Sequence, residues 1–208
     1  MRRYATLAVV LLVVLLVADA APAKLRGFIP RSRRGAEVSV EVPRYIFPIG
    51  EGLVGDYYID EGWGFGFGLM FGFVDNFGLE ARTVQSNHRI DAGEWDLDQT
   101  FVGIKYCMVG DSAFQPFVCA GYCRQLMETD SADAPLDDFT RLTGHGGYLS
   151  VGVDYFRTSK FLFSVRADYI LMDFTRGSFG IDEQDLDESL DSDTIAISLA
   201  VGYRAPIW

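Results

Sequence analysis

Eight charged side chains fall at alternating positions in stretches otherwise made of small or apolar residues: Glu37, Glu41, Glu80, Arg82, Lys105, Asp154, Arg166 and Asp168. Five are acids and three are bases. Charges of both signs that share an interior pair with one another, because an unpaired charge out of water is costly. One role for such a set is structural packing; a sharper one is a gate whose pairs exchange to let a small solute pass. A second set is the run 182–193, with seven acids and no base. Asp182, Glu183, Asp185, Asp187 and Glu188 offer the carboxylate oxygens that hard divalent cations prefer. The run lacks the glycine of an EF-hand loop, and a solvated, mobile loop is the competing reading. The histidines form a third set. His88 stands beside Ser86 and Asn87 with Asp91 close by, and His145 stands near Ser150. A nucleophilic enzyme would need His, Ser and an acidic orienter on one surface, and surface or rim histidines are the competing reading. The three cysteines, Cys107, Cys119 and Cys123, form no C-x-x-C pair, so no metal site and no cofactor is expected. Cys119 and Cys123 lie too far apart along one extended segment to bond. A bridge from Cys107 to either depends on register.

The elements that would position these groups alternate with period two. Trp63, Phe65, Phe67, Leu69, Phe71 and Phe73 take one parity, and Gly62, Gly64, Gly66, Gly68, Met70 and Gly72 the other. Successive side chains of a strand point to opposite faces, whereas so many glycines would be costly in a helix. Ile195, Ile197, Leu199, Val201 and Tyr203 oppose Ala196, Ser198, Ala200 and Gly202 in the same way. Eight such segments are expected, near 36–46, 61–73, 77–86, 98–109, 114–126, 146–156, 161–174 and 193–204. Short turns alternate with long connectors near 47–60, 87–97, 127–145 and 175–192, which is the meander of an up-and-down barrel with two unlike ends.

Composition narrows the class. The chain has 208 residues, 49% of them hydrophobic, and a formal net charge of −11. That balance excludes a general nucleic-acid binder, which needs a basic footprint. Residues 1–23 read as a signal peptide: Arg2 and Arg3, then an apolar run from Leu7 to Val17 that is too short to span a bilayer, then small residues ending at Ala23. Residues 24–35 form a basic N-terminal extension whose Arg31–Arg34 run either touches anionic headgroups or is a disordered leader. Residues 36–208 form the barrel.

Two barrels with opposite interiors compete. A soluble ligand-binding barrel buries its apolar face, whereas a membrane barrel turns it to lipid. The apolar set here carries several aromatics per strand, too bulky to fill an eight-stranded bore, while the polar set is small and of mixed charge. The expected fold is therefore an all-β, eight-stranded antiparallel up-and-down transmembrane β-barrel. The long connectors carry most of the acids, and this acidic end would be extracellular. Trp63 and Trp95 fall near it, as an interfacial belt would.

The segments FGFGLMFGFVDNFGLE (65–80), FVGIKY (101–106), PFVCAGY (116–122), GYLSVGVDYF (147–156) and IAISLAVGYR (195–204), in this order and spacing, resemble the outer-membrane β-barrel domain family, the small eight-stranded barrels of the OmpA and OmpX type. The resemblance covers about residues 36–208. It implies a bacterial outer-membrane location and a lumen plugged by paired ions. It also implies a non-enzymatic structural and surface-contact role, with a lipid A deacylase or acyltransferase as the enzymatic alternative. The expected partners are outer-membrane lipid, lipopolysaccharide and the barrel-assembly machinery, with no nucleic acid and a monomeric state.

Overall fold

The computed structural model describes residues 32–48, 53–54, 57–58, 61–90, 93–109, 112–129, 141–156, 160–179, 182–191 and 193–206. The signal-peptide reading, the extension up to Arg31 and the C-terminal Trp208 lie outside these residues. Among the described residues eleven strands follow in order: β1 (Gly35–Pro48), β2 (Leu53–Val54), β3 (Tyr57–Tyr58), β4 (Gly62–Gly72), β5 (Phe77–Ile90), β6 (Gly93–Cys107), β7 (Phe114–Glu128), β8 (Arg141–Phe156), β9 (Phe161–Phe179), β10 (Asp182–Asp191) and β11 (Thr194–Pro206). Eight of them, β1, β4–β9 and β11, close into an antiparallel ring. β1 pairs with β4 on one side and β11 on the other, and β8 pairs with β9. A row of paired residues that starts at Glu37 passes through Met70, Glu80, Gly103, Gly121, Tyr148, Ile170 and Thr194 and returns to β1 at Pro48. This stagger is the shear that tilts strands in a closed barrel.

The parity read from the sequence decides the faces. Phe65, Phe67, Leu69, Leu79, Ile104, Phe163, Val165, Leu199 and Val201 all point outward and are exposed, while the glycines and charges opposite them are buried. The soluble-barrel alternative, with the aromatic face lining a cavity, is thereby corrected: the aromatics of the alternating apolar face surround the barrel. Only a medium that is itself apolar suits such a surface. Inside, small residues leave room for large ones. A side chain at Gly103 or Gly121 would collide with Tyr148, whose ring covers both positions.

Three elements depart from the sequence expectation. The connector expected at 87–97 is a continuation of β5 and β6, paired from Ser86–Leu97 up to Ile90–Gly93. The acidic run is a strand rather than a loop: β9 extends to Phe179 beyond the ring, and β10 pairs onto that extension. A ready strand edge overrides the weak β-propensity of acidic residues. The first strand carries a bulge between Glu41 and Arg44. Pro43 cannot donate to the ladder, and a bulge is one of the few places a strand accommodates it.

Candidate functional site: the charged lumen

The inward face of the ring gathers the charges in two layers. In the middle layer Arg44 lies 2.6 Å from Asp168 and 3.4 Å from Glu41. Arg82 reaches Glu41 at 3.0 Å, Asp168 at 3.1 Å and Glu80 at 3.2 Å. Arg166 bonds Glu80 at 2.6 Å and approaches Glu41 at 3.7 Å and Asp168 at 3.9 Å. Ser150 donates its hydroxyl to Asp168. The guanidinium of Arg82 lies over Phe101, 4.5 Å from the ring centre, and that of Arg166 lies over Phe117 at 4.9 Å.

The layer nearer the short turns is built on Asp154. Arg33 bonds it at 2.9 Å and Lys105 at 3.0 Å, and Arg33 also bonds Glu37 at 2.8 Å. Lys105 sits over Phe117 and Arg33 over Phe156. Arg204 holds the segment before β1 across this opening by donating to the backbone carbonyls of Ser32 and Arg34. The hydroxyl of Ser32 bonds Asp75 at 2.7 Å. A cavity of about 20 Å³ between the layers, lined in part by Glu37, Glu80, Lys105 and Arg166, holds roughly one water.

All eight sequence-selected charges are buried and belong to this network. Sequence reasoning missed two members. Arg44 lies on the outward parity of the β1 expected from Val38, Val40 and Val42, but the bulge turns it inward and leaves it fully buried. Arg33 belongs to the expected basic extension, yet it is fully buried in the lumen against Glu37 and Asp154; its neighbour Arg34 is exposed and paired with Asp75 at 3.1 Å. A signal for both was present. Five acids against three bases left two acids without partners. With Arg33 and Arg44 added, five bases meet five acids in the two layers.

Beyond the middle layer the lumen becomes apolar. Ile46, Trp95, Leu97, Met127, Leu142, Phe174 and Ala196 form one buried cluster, against which Leu186 of β10 packs. Trp63 lies outside at 65% exposure, as expected for a belt, but Trp95 is 0% exposed. The inward parity of β6 runs from Trp95 through Leu97, Gln99 and Phe101 to Lys105, so this tryptophan is core.

The remaining candidates separate. Ser86 and His88 approach at 3.1 Å, but inside the barrel. His145 faces outward beside Tyr122, whereas Ser150 faces inward to Asp168. The two are on opposite sides of the wall. The three thiols are free and buried: Cys119 lies opposite Lys105, Cys123 opposite Phe101 and Cys107 opposite Phe117. In the acidic strand Asp185 pairs with Arg176 at 3.2 Å; the side chains of Asp182, Glu183, Asp187 and Glu188 lie outside the described residues. Among the described residues no three potential ligands converge on a metal position. Above the apolar belt the outer wall is polar, with Asn87, Glu94, Asp96, Asp98, Glu128 and Arg141 exposed. Partial burial, with the neighbouring Asp96 carboxylate, raises the pKa of Asp98 above the ordinary aspartate value.

The model of the outer membrane protein beta-barrel domain family matches residues 8–205. No curated protein sequence matches significantly. Among solved structures, the outer membrane protein OprG of Pseudomonas aeruginosa is 17% identical, with 86% of this chain and 100% of that chain covered and a TM-score of 0.63. Neisserial surface protein A is 12% identical over 82% of this chain and 97% of that chain, at a TM-score of 0.56. Ail, the attachment invasion locus protein of Yersinia pestis, is 13% identical over 83% and 99%, at 0.52. At these identities the likeness concerns the fold.

Proposed function

The chain belongs to the outer membrane protein β-barrel domain family, and we propose that it serves in the bacterial outer membrane as a non-enzymatic barrel with a closed, charge-paired lumen, meeting its surroundings through the acidic end of its long hairpins. The observation that carries this reading is the balanced lumen. Ten opposite charges neutralise one another within a bore that eight strands just fill, and an apolar cluster closes the far end. Moving any one ion would strand its partners away from water. The placement of Ser86 and His88 inside the wall, away from lipid, supports a non-enzymatic role over lipid A modification.

In this reading residues 1–23 are an export signal and the polar upper wall faces outward. The partners are outer-membrane lipid, lipopolysaccharide and the barrel-assembly machinery, and the barrel is a monomer. The acidic strand 182–191 and its neighbours form the surface that outside partners or divalent cations meet. The test is solute flux. Vesicles holding the refolded barrel should swell in small sugars no faster than protein-free vesicles; rapid swelling would overturn the closed lumen. Lipid A from expressing cells should keep its mass, and a lost or added acyl chain would overturn the non-enzymatic role.

A further inference from the structure

The described arginines on the outer surface are ion-paired with one exception. Arg34 meets Asp75, Arg141 meets Glu128 at 2.9 Å, and Arg176 meets Asp185. Arg124 is exposed, and among the described residues no carboxylate pairs with it. Its place on the wall is specific. The row Ala81–Val102–Tyr122–Gly147–Leu171 is apolar apart from one tyrosine hydroxyl. The next row toward the long-hairpin end, Thr83–Thr100–Arg124–His145–Asp173, is the first polar one. Arg124 therefore stands where apolar surface gives way to polar surface.

A groove runs beside it. Phe65 and Phe67 of β4 form one wall, Arg124 and Leu126 of β7 form the other, and the shorter Thr83 and Thr100 lie between. Toward the membrane interior a second depression, sharing Phe67, Thr83 and Thr100, continues past Ala81 and Leu69. One continuous trough is thus apolar and shallow at its lower end, and at its upper end it is lined by hydroxyls, the Gln85 amide, the Asp98 carboxyl and a guanidinium that is unpaired among the described residues.

We infer that this trough is a binding site for one lipopolysaccharide molecule, with a lipid A phosphate on Arg124 and an acyl chain laid along Phe67, Ala81 and Leu69. Guanidinium–phosphate pairs are strong, bidentate hydrogen bonds. The hydroxyls of Thr83 and Thr100, with the amide of Gln85 and the carboxyl of Asp98, suit the hydroxyls and amides of a phosphorylated disaccharide. A glycerophospholipid would leave most of them without partners. The assignment rests on the reading that the long-hairpin end faces outward, since only that leaflet carries the saccharolipid.

The test is native mass spectrometry of the full refolded barrel titrated with bisphosphorylated lipid A, with dephosphorylated lipid A and with phosphatidylglycerol. Wild-type protein should hold one bisphosphorylated lipid A. Removing the phosphates, or Arg124→Ala, should weaken binding about tenfold, the scale of one charge-assisted pair. Thr83→Trp, which fills the trough and keeps the cation, should weaken it as well. Both variants lie on the lipid face, and their folding is checked by the mobility difference between unboiled and boiled samples. Binding by Arg124→Ala and Thr83→Trp as tight as that of wild type overturns the site. Binding of phosphatidylglycerol as tight as that of lipid A overturns the saccharolipid assignment. The mass of the released lipid A reports separately on the non-enzymatic reading: a shortened lipid that still binds contradicts that reading alone. Protease digestion of intact cells that spares the long hairpins contradicts their outward orientation and leaves the trough's affinity for lipid A as measured.

Discussion

Arg33 and Arg34 are adjacent and meet opposite fates. Arg33 is fully buried between Glu37 and Asp154, whereas Arg34 lies outside against Asp75. The first interaction is in a desolvated bore and the second is open to water. Arg33→Met should therefore lower unfolding stability by about 3–5 kcal/mol, the cost of stranding buried partners, while Arg34→Met should cost at most about 1 kcal/mol. Urea unfolding from lipid vesicles measures both. Equal effects would mean that Arg33 is not held in the lumen. Eight of the lumen charges were legible in the sequence, because each shares parity with glycine, serine or alanine on a clear strand. Arg33 was not, because it precedes the alternating stretch. Arg44 was not, because a bulge reverses parity at that point.

That bulge belongs to the scale of the element. Along β1, Val38 and Val40 face lipid up to Glu41, and beyond Pro43 it is Tyr45 and Phe47 that do so. Pro43→Val, which can donate to the ladder, should restore unbroken alternation and turn Arg44 to the lipid face. An arginine at the bilayer midplane costs about 2–4 kcal/mol, in addition to the partners it abandons. The variant should lose the compact band of unboiled samples; retention of that band would show that the bulge forms without the proline. The acidic strand is a second such case. Its composition reads as a solvated loop, and nothing local marks it as a strand. Its partner, the extension of β9, decides the matter, and Leu186 anchors it on the apolar cluster. Leu186→Asp should speed amide hydrogen exchange across 182–191 and leave the ring strands protected. Slowed exchange throughout, or global loss of protection, would contradict an independently docked strand.

The molecule as a whole inverts the arrangement of a soluble protein. Aromatics surround it, and ions together with buried rings such as Phe101 and Phe117 fill it, so lipid supplies the apolar environment outside and ion pairing stabilises the inside. Parity alone was enough to read the eight-stranded ring and its inside-out sense. The height of the wall was not legible, because the polar outer faces of β5 and β6 above the belt resemble loop composition while their backbones remain paired. Neutrality of the bore ties distant strands together: Asp168 on β9 answers both Arg44 on β1 and Arg82 on β5. The most direct measurement is urea unfolding from vesicles of wild type, Arg44→Met, Asp168→Asn and the double variant. Each single change leaves the middle layer with one uncompensated charge, and the double change restores balance. Each single variant should lose about 3–5 kcal/mol, and the double should lose less than the sum by at least about 2 kcal/mol. Additive losses, or an Arg44→Met variant as stable as wild type, would contradict the proposal that charge balance holds the lumen closed.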